Sequence, residues 1–437
     1  MNNICLDGGS KPAIPLWALV TPMLSFLRFP AVVLAAAMIP LPPATAGAVG
    51  RSPSPPRVVL GDPVVVSQAS PEIREWGPWQ FPVLERMRDG RIHLRFHVSE
   101  DSASAYGMPV GHSLSSDNGR TWKPAEDFMD TGGLPLKNGD RLRSKALPSI
   151  AASGLKLPPP VGRSENYGAS YVYYGETGFP PELRGWHVLR LPADGSNWVE
   201  EAARVKLPGA ARYTVNGILP IPFFWRLRLA PDGSVWAMQY GRFIRGGKTL
   251  DQSSAFFLRS TDGGRTWNLL GEIPYRPDRK RDPLWQKREG FTEPDVAFLR
   301  DGSVLAFVRT TDGNGPGPMY AAFSKDGGRT WGPAEVFDEI GVWPTFLTLD
   351  AGIILVAYGR PGLFIRATTD PSAKEWSPKI AVVPAGEPHQ DTCSYADLLA
   401  LDDRTALLAY SDFDYPNPQG IPVKSILVRT LQVLPAR

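Results

Sequence analysis

The sequence predicts an all-β chain folded as a six-bladed β-propeller, and three observations lead there. One octapeptide recurs three times, as Ser115-Ser116-Asp117-Asn118-Gly119-Arg120-Thr121-Trp122, as Ser260 to Trp267 and as Ser324 to Trp331. Alternating apolar strands joined by Asp-Gly turns recur around Asp89-Gly90, Asp232-Gly233 and Asp301-Gly302. Pro (45) and Gly (43) are abundant beside 13 Trp and 13 Tyr, a mixture suited to short strands and tight turns rather than long helices.

The octapeptide has a physical reading. A carboxylate followed two residues later by Gly makes a tight turn in which the side chain accepts backbone N–H bonds and the Gly takes positive φ. The Trp that follows can pack beneath the turn and pin it to the sheet. The Asp-Gly pairs flanked by alternating apolar residues read as hairpins. The same hairpin recurs without a perfect turn at residues 345–357 and 396–409. The irregular stretch 134–208, with Ala169 to Tyr174 as its best strand, completes six meanders. Units that cannot bury both faces alone close most naturally into a ring. The ring is expected to close through a shared blade, with residues 57–66 or 423–434 completing it.

Before the repeats, residues 29–41 form an apolar run preceded by Arg28 and followed by the small-residue stretch Ala44 to Ala48. Residues 1–48 therefore read as a secretory signal, which fits better if translation starts at Met23, and the expected destination is secreted or periplasmic. Residues 49–56 read as a flexible Pro/Ser-rich linker, and residues 57–437 as the propeller. Cleavage would leave Cys393 as a lone cysteine and no internal disulfide. After cleavage no membrane association is expected, and a monomer is.

A net charge of +3, from 47 basic and 44 acidic residues mixed along the chain, leaves no basic stripe for a phosphate backbone, so nucleic acid is not an expected partner. No metal-ligand spacing and no Gly-rich phosphate loop is present, and no cofactor is expected.

The octapeptides match the Asp-box, Ser-x-Asp-x-Gly-x-Thr-Trp, and with the six meanders the region after the signal resembles the sialidase (neuraminidase) superfamily. In that family the boxes lie at the propeller rim, so Asp117, Asp262 and Asp326 read as turn residues. Ligands bind at the channel mouth, which places candidates at the starts of the inner hairpins (Gln80, Glu293, Trp343, Tyr395) and at the exits of the second strands (His97, Tyr173, Arg242, Arg309, Arg360, Asp412). Sialidases hold a sugar carboxylate with three arginines, attack with a Tyr activated by a Glu, and protonate the leaving group with an Asp. A neutral Tyr suits an anionic sugar, which would repel a carboxylate nucleophile. Arginine suits the carboxylate because its planar fork makes two parallel charge-assisted bonds.

The resemblance makes Tyr395, in Ser394-Tyr395-Ala396-Asp397-Leu398, the nucleophile and Glu293, in Thr292-Glu293-Pro294-Asp295, its base. It makes Arg309 and Arg360 the second and third arginines. Where the family opens the first blade with Arg-Ile-Pro, this chain has Gln80-Phe81-Pro82, so the carboxylate triad is incomplete and sialic acid itself is in doubt. Glu100 and Asp101 both fall in the loop of the general acid and spacing does not choose between them; Asp101 is taken as the acid. His97 and His389, two of only five histidines, fall near the channel and are counted with the substrate-binding residues. The function implied is an exo-acting, retaining glycoside hydrolase that removes a terminal acidic sugar from a glycan. Nearly the same residues would serve a lyase that abstracts a proton α to a uronate. A binding propeller without turnover is the third alternative.

Overall fold

The computed structural model describes residues 55–125, 132–166, 168–180, 183–310 and 315–435. The signal and most of the linker expected above lie outside these residues. Pro53–Arg437 forms one compact unit.

The chain is all-β, and among the described residues it is organised as six antiparallel meanders, numbered I to VI in chain order. Meander I comprises Gln80–Arg86, Ile92–His97, Val110–Ser115 and Lys123–Pro124. Meander II comprises Leu134–Pro135, Arg141–Lys145, Trp186–Leu191 and Val199–Lys206, and III comprises Arg226–Leu229, Val235–Gly241, Ser254–Ser260 and Thr266–Ile273. Meander IV runs through Phe291–Phe298, Val304–Thr310, Met319–Ser324 and Glu335–Asp338; V runs through Val342–Thr348, Ile354–Gly359, Leu363–Thr368 and Ile380–Val383. Meander VI is built by Ala396–Ala400, Thr405–Pro416 and Pro422–Leu434, and its outer edge is completed by Arg57–Leu60 and Val64–Gln68 from the start of the unit. Both candidate closing segments thus enter one shared sheet.

Successive meanders are tied to one another by hydrogen bonds at or near their first two strands. The Arg141 guanidinium donates to Arg86 O at 2.8 Å, joining II to I, and Phe224 N donates to Ser144 Oγ at 3.0 Å, joining III to II. Arg226 reaches Asp295 at 2.6 Å, joining III to IV, and Phe346 N donates to Asp295 at 2.8 Å, joining V to IV. Thr345 Oγ1 donates to Ala396 O at 2.9 Å and Leu84 N to Asp397 at 2.9 Å, so the series returns from VI to I and closes. The apolar core lies between neighbouring sheets. Leu408 and Leu431 of VI pack with Leu355 and Ile365 of V, and Phe257 of III packs with Val308 and Tyr320 of IV.

The repeated octapeptides form one turn three times, between the third and fourth strands of I, III and IV. In the third copy Ser324 Oγ donates to Asp326 at 2.8 Å, Gly328 N donates to Ser324 Oγ at 2.8 Å, and Thr330 N donates to Asp326 at 2.9 Å. Trp331 Nε1 then donates to Gly328 O at 3.1 Å and seats the indole beneath the turn. Gly328 has φ +85° and a Cβ there would lie 2.2 Å from the Trp236 ring, so no larger residue fits. Meander V repeats the device without the motif: Asp370 accepts from Ser372 N and Lys374 N, and Trp376 Nε1 donates to Ala373 O at 2.8 Å.

Trp267, the indole of the second octapeptide, is fully buried between II and III against Phe224. Trp267→Ala should destabilise the chain by about 3 kcal/mol or more, read as a lower urea midpoint. The threonine hydroxyls and backbone N–H bonds hold the Asp117 and Asp326 carboxyls down at about 2. Their contribution to stability is complete above the unfolded carboxylate range near pH 4 and is lost as pH falls toward 2. Asp326→Asn should therefore flatten the loss of thermal midpoint between about pH 4 and 2 while costing stability at pH 7.

The expectation for residues 134–208 needs correction. Ala169–Gly175 is a strand, but it belongs to an inserted sheet rather than to meander II. That sheet orders Pro160–Asn166, Ala169–Gly175, Ala211–Val215, Ile218–Leu219 and Ile150–Ala151. Meander II uses Trp186–Leu191 instead, whose alternation buries Trp186, Val188 and Arg190. Tyr171 and Tyr173 of this strand line a cavity instead, while Tyr174 packs with Phe179 and Leu219.

Candidate active site

A cavity of about 1820 Å³ opens where the first strands begin and the second strands end, and the inserted sheet walls one side of it. A repeated local device aims side chains into it. Phe81 (φ 55°), Glu293 (φ 47°) and Trp343 (φ 48°) stand in left-handed backbone where the first strands of I, IV and V bulge between Gln80/Val83, Thr292/Asp295 and Val342/Thr345. A bulge turns one side chain out of the pleat, and non-glycine residues hold positive φ only where surrounding structure enforces it. Ser394 (φ 61°) occupies the corresponding place before VI and precedes Tyr395.

These turns bring three predicted residues together. The Tyr395 hydroxyl donates to Glu293 Oε1, and Arg309 Nη1 donates to the same oxygen at 2.5 Å and to the Tyr395 hydroxyl at 3.3 Å. Trp343 N donates to the other Glu293 oxygen at 3.1 Å. Arg309 reaches Glu293 because its strand pairs with Thr292 opposite. The Tyr395 ring is clamped between Trp343, stacked at 4.8 Å, and Phe81, edge-on at 4.7 Å. Burial pushes the Tyr395 phenol well above its ordinary value and the Glu293 charge adds to this, with Arg309 and Arg360 opposing. The phenol is therefore neutral and hydrogen-bonded to a base.

Arg360 lies on the same wall. Its Nη2 donates to Cys393 O at 2.7 Å, and its guanidinium sits 5.0 Å over Trp76 and 5.7 Å over Tyr395. Trp76 also carries the two candidates from the far side: its Nε1 donates to Asp101 at 2.8 Å, and its ring meets His389 edge-on at 5.1 Å. His97 packs edge-on against Phe81 at 4.9 Å; burial pushes its pKa down, with Asp101 opposing. Glu100 instead accepts from Ser102 and Ser104, and these bonds lower its pKa. The geometry thus separates two acids that spacing could not: Asp101 is held by the Trp76 indole beside His97, and Glu100 by two serines.

Gln80 is fully buried, and in the orientation that satisfies its amide the oxygen accepts from Gly77 N at 3.1 Å and Lys424 Nζ at 3.2 Å. It ties the wall together, and the neighbouring Phe81 is the residue of that segment turned onto Tyr395. Asp412 caps Asp414 N at 3.0 Å away from the cavity lining. Cys393 is buried with its thiol pKa raised by burial, and Ser411 Oγ lies 3.0 Å from its sulfur.

Sequence reasoning passed over Trp76, Phe81 and Glu289. Glu289 is half-buried in the cavity wall, accepts from Asn166 at 2.9 Å, and has its pKa raised by desolvation against the pull of Arg309 and Arg242. Its position four residues before Glu293, beyond the strand, carries no motif that would have flagged it. Among the described residues no group of three or more His, Cys, Asp or Glu is placed to hold a metal ion, and no helix is long and apolar enough to cross a membrane.

No protein-family model matches the chain, and no curated protein sequence matches it. Solved structures similar to it include a Dyadobacter fermentans protein of unknown function, at 19% identity and a TM-score of 0.60 over 86% of this chain and 99% of that one. They also include the Hadza microbial sialidase Hz136, at 18% identity and a TM-score of 0.45 over 82% of this chain and 65% of that one. A Penicillium chrysogenum alpha-L-arabinanase complexed with arabinobiose is similar at 16% identity and a TM-score of 0.45, over 85% of this chain and 98% of that one. The likeness to the Dyadobacter protein is one of fold.

Proposed function

We propose that this chain is an exo-acting glycoside hydrolase on a six-bladed, Asp-box propeller of the sialidase-like kind, exported from the cell, which removes a terminal acidic sugar from a glycan with retention of configuration. The observation that carries the reading is the set of half-buried Tyr395 with buried Glu293 and Arg309, in which a neutral phenol donates to a carboxylate that a guanidinium also binds.

In this reading Glu293 takes the Tyr395 proton as the phenolic oxygen bonds to the anomeric carbon. The bond to the leaving oxygen breaks as that oxygen takes a proton from Asp101. Water then attacks the glycosyl–tyrosine bond, giving one proton to the Asp101 carboxylate, and the phenolate recovers its proton from Glu293. Arg309 and Arg360 pair with the sugar's acidic group, which explains why an uncharged nucleophile is used. Phe81, at the opening of the first blade, gives that group an apolar neighbour, so an acidic sugar smaller than or different from sialic acid fits the reading.

The test is a product assay of the exported protein on sialosides, other terminal acidic sugars and uronate-containing polysaccharides, read for released monosaccharide and for new near-ultraviolet absorbance. Release of a saturated monosaccharide, lost in Tyr395→Phe, is the expected result. New absorbance would assign β-elimination instead, and bound glycan without product would assign a binding protein.

A further inference from the structure

The inserted sheet gives the cavity a second wall that the proposed reaction does not use. Tyr171 and Tyr173 stack at 6.4 Å, and Tyr213 from the neighbouring strand lies 5.7 Å from Tyr171. From Tyr106 an aromatic path runs through Trp225 (6.2 Å) and Trp343 (6.4 Å) to Tyr395 (4.8 Å). Tyr171, Tyr173 and Tyr213 line the same cavity as this path and the proposed point of reaction.

Arg242 stands on this wall, just past the second strand of III. Its guanidinium lies 4.5 Å over the Tyr173 ring, the residue is 9% exposed, and its Nε has no hydrogen-bond partner among the described residues. Glu289 is an opposing charge within electrostatic reach, yet no hydrogen bond joins the two among the described residues, and burial raises the Glu289 pKa. Holding a guanidinium out of water without a hydrogen-bonded anion is costly unless a ligand supplies that anion. Flat aromatic faces suit the C–H face of a pyranose, and polar groups line the wall where hydroxyls would reach: the Tyr173 hydroxyl, held by Ser164 at 3.1 Å, and Glu289, which accepts from Asn166.

We infer that the inserted sheet and Arg242 form a second saccharide subsite next to Tyr395, which stacks the sugar on the leaving-group side and pairs its carboxylate or sulfate with Arg242. The substrate class becomes a glycan whose last two sugars are both acidic. The inference rests on the proposed placing of the reacting sugar at Tyr395.

The experiment is equilibrium titration of the full chain carrying Tyr395→Phe, which blocks turnover, with two matched pairs of probes. One pair is the α2,8-linked N-acetylneuraminic acid dimer and α2,3-sialyllactose; the other is digalacturonate and methyl galacturonide. In at least one pair the acidic second ring should tighten binding about tenfold or more. Arg242→Met should remove that gain while leaving the other member within about threefold, and Tyr213→Ala should weaken only probes with a second ring. Equal weakening of both members by Arg242→Met would place Arg242 at the terminal sugar and overturn the inference, as would a second ring that adds nothing or probes that all fail to bind. Arg360→Met separates the two readings. It should weaken every probe; no effect from it, with the Arg242-dependent gain intact, would remove the terminal-sugar assignment and leave the second subsite standing.

Discussion

Tyr395→Phe should lower kcat by at least about 10³-fold with KM nearly unchanged, because it deletes one oxygen and nothing else. The ring keeps its contacts with Trp343 and Phe81, so the fold and the cavity wall remain as they are. Glu293→Gln tests the same unit from the other side. It leaves the hydroxyl with an acceptor that cannot take its proton, and a loss of about 10² to 10⁴ is expected. The two changes should not add, since nucleophile and base act in one step, and the double variant should be about as slow as Tyr395→Phe. The phenol's raised pKa also fixes a sign: it stays protonated throughout the ordinary working range, so the rate should not climb as pH approaches 10. Unchanged turnover in Tyr395→Phe would end the reading of Tyr395 as the nucleophile.

Asp295→Ala should cost about 5 kcal/mol of stability, the largest loss expected from any single surface or core change discussed above. Asp295 is fully buried where III, IV and V meet. It accepts from Arg226 at 2.6 Å, from Arg228 Nε at 3.0 Å and from Phe346 N at 2.8 Å. Burial pushes its pKa up, but Arg226 and Arg228 outweigh this and hold it below the usual carboxylate range. Removing it leaves two guanidinium groups in the interior without their anion. Asp295→Asn should be nearly as damaging, which separates lost charge from lost shape. Urea unfolding with an unchanged slope and a lowered midpoint is the expected record; a midpoint within experimental error of the parent would show that the ring does not depend on this node. The sign with pH follows from the depressed value: this stability is present above the unfolded carboxylate range and is lost as acid protonates the native group.

The parts of the fold legible in the sequence were those fixed by local chemistry. The Asp-Gly hairpins and the octapeptide turns each need a few contiguous residues, and each forms where its residues predict. Trp376 shows the limit of that approach, because its turn does the same work with Asp370, Ser372 and Ala373 in place of the motif. The inserted sheet was misread because Ala169 to Tyr174 has the alternation of any strand, and alternation does not say which sheet will receive it. At the site, Glu293, Arg309 and Tyr395 could be named because each lies at a strand end in a segment that resembles a family motif. Phe81, Trp76 and Glu289 could not, because no motif marks them and only the folded bulge or loop shows where they point. Asp101 and Glu100 were separable only by their partners, Trp76 against Ser102 and Ser104.

The sharing of meander VI between the two ends of the unit has a consequence for how the chain is made. Arg57 pairs with Leu434 and Leu60 with Leu431, across nearly the whole sequence. As the ribosome delivers the protein, the earliest strands are without their partner until the final segment has emerged, while meanders II to V can each form from adjacent residues. Tyr395 immediately precedes Ala396–Ala400, which pairs with Thr405–Pro416, and that strand pairs in turn with Pro422–Leu434, so the sheet that follows Tyr395 is complete only when the last segment has joined it. On the proposed function, a nascent or C-terminally clipped chain would hold most of its sheets and lack turnover.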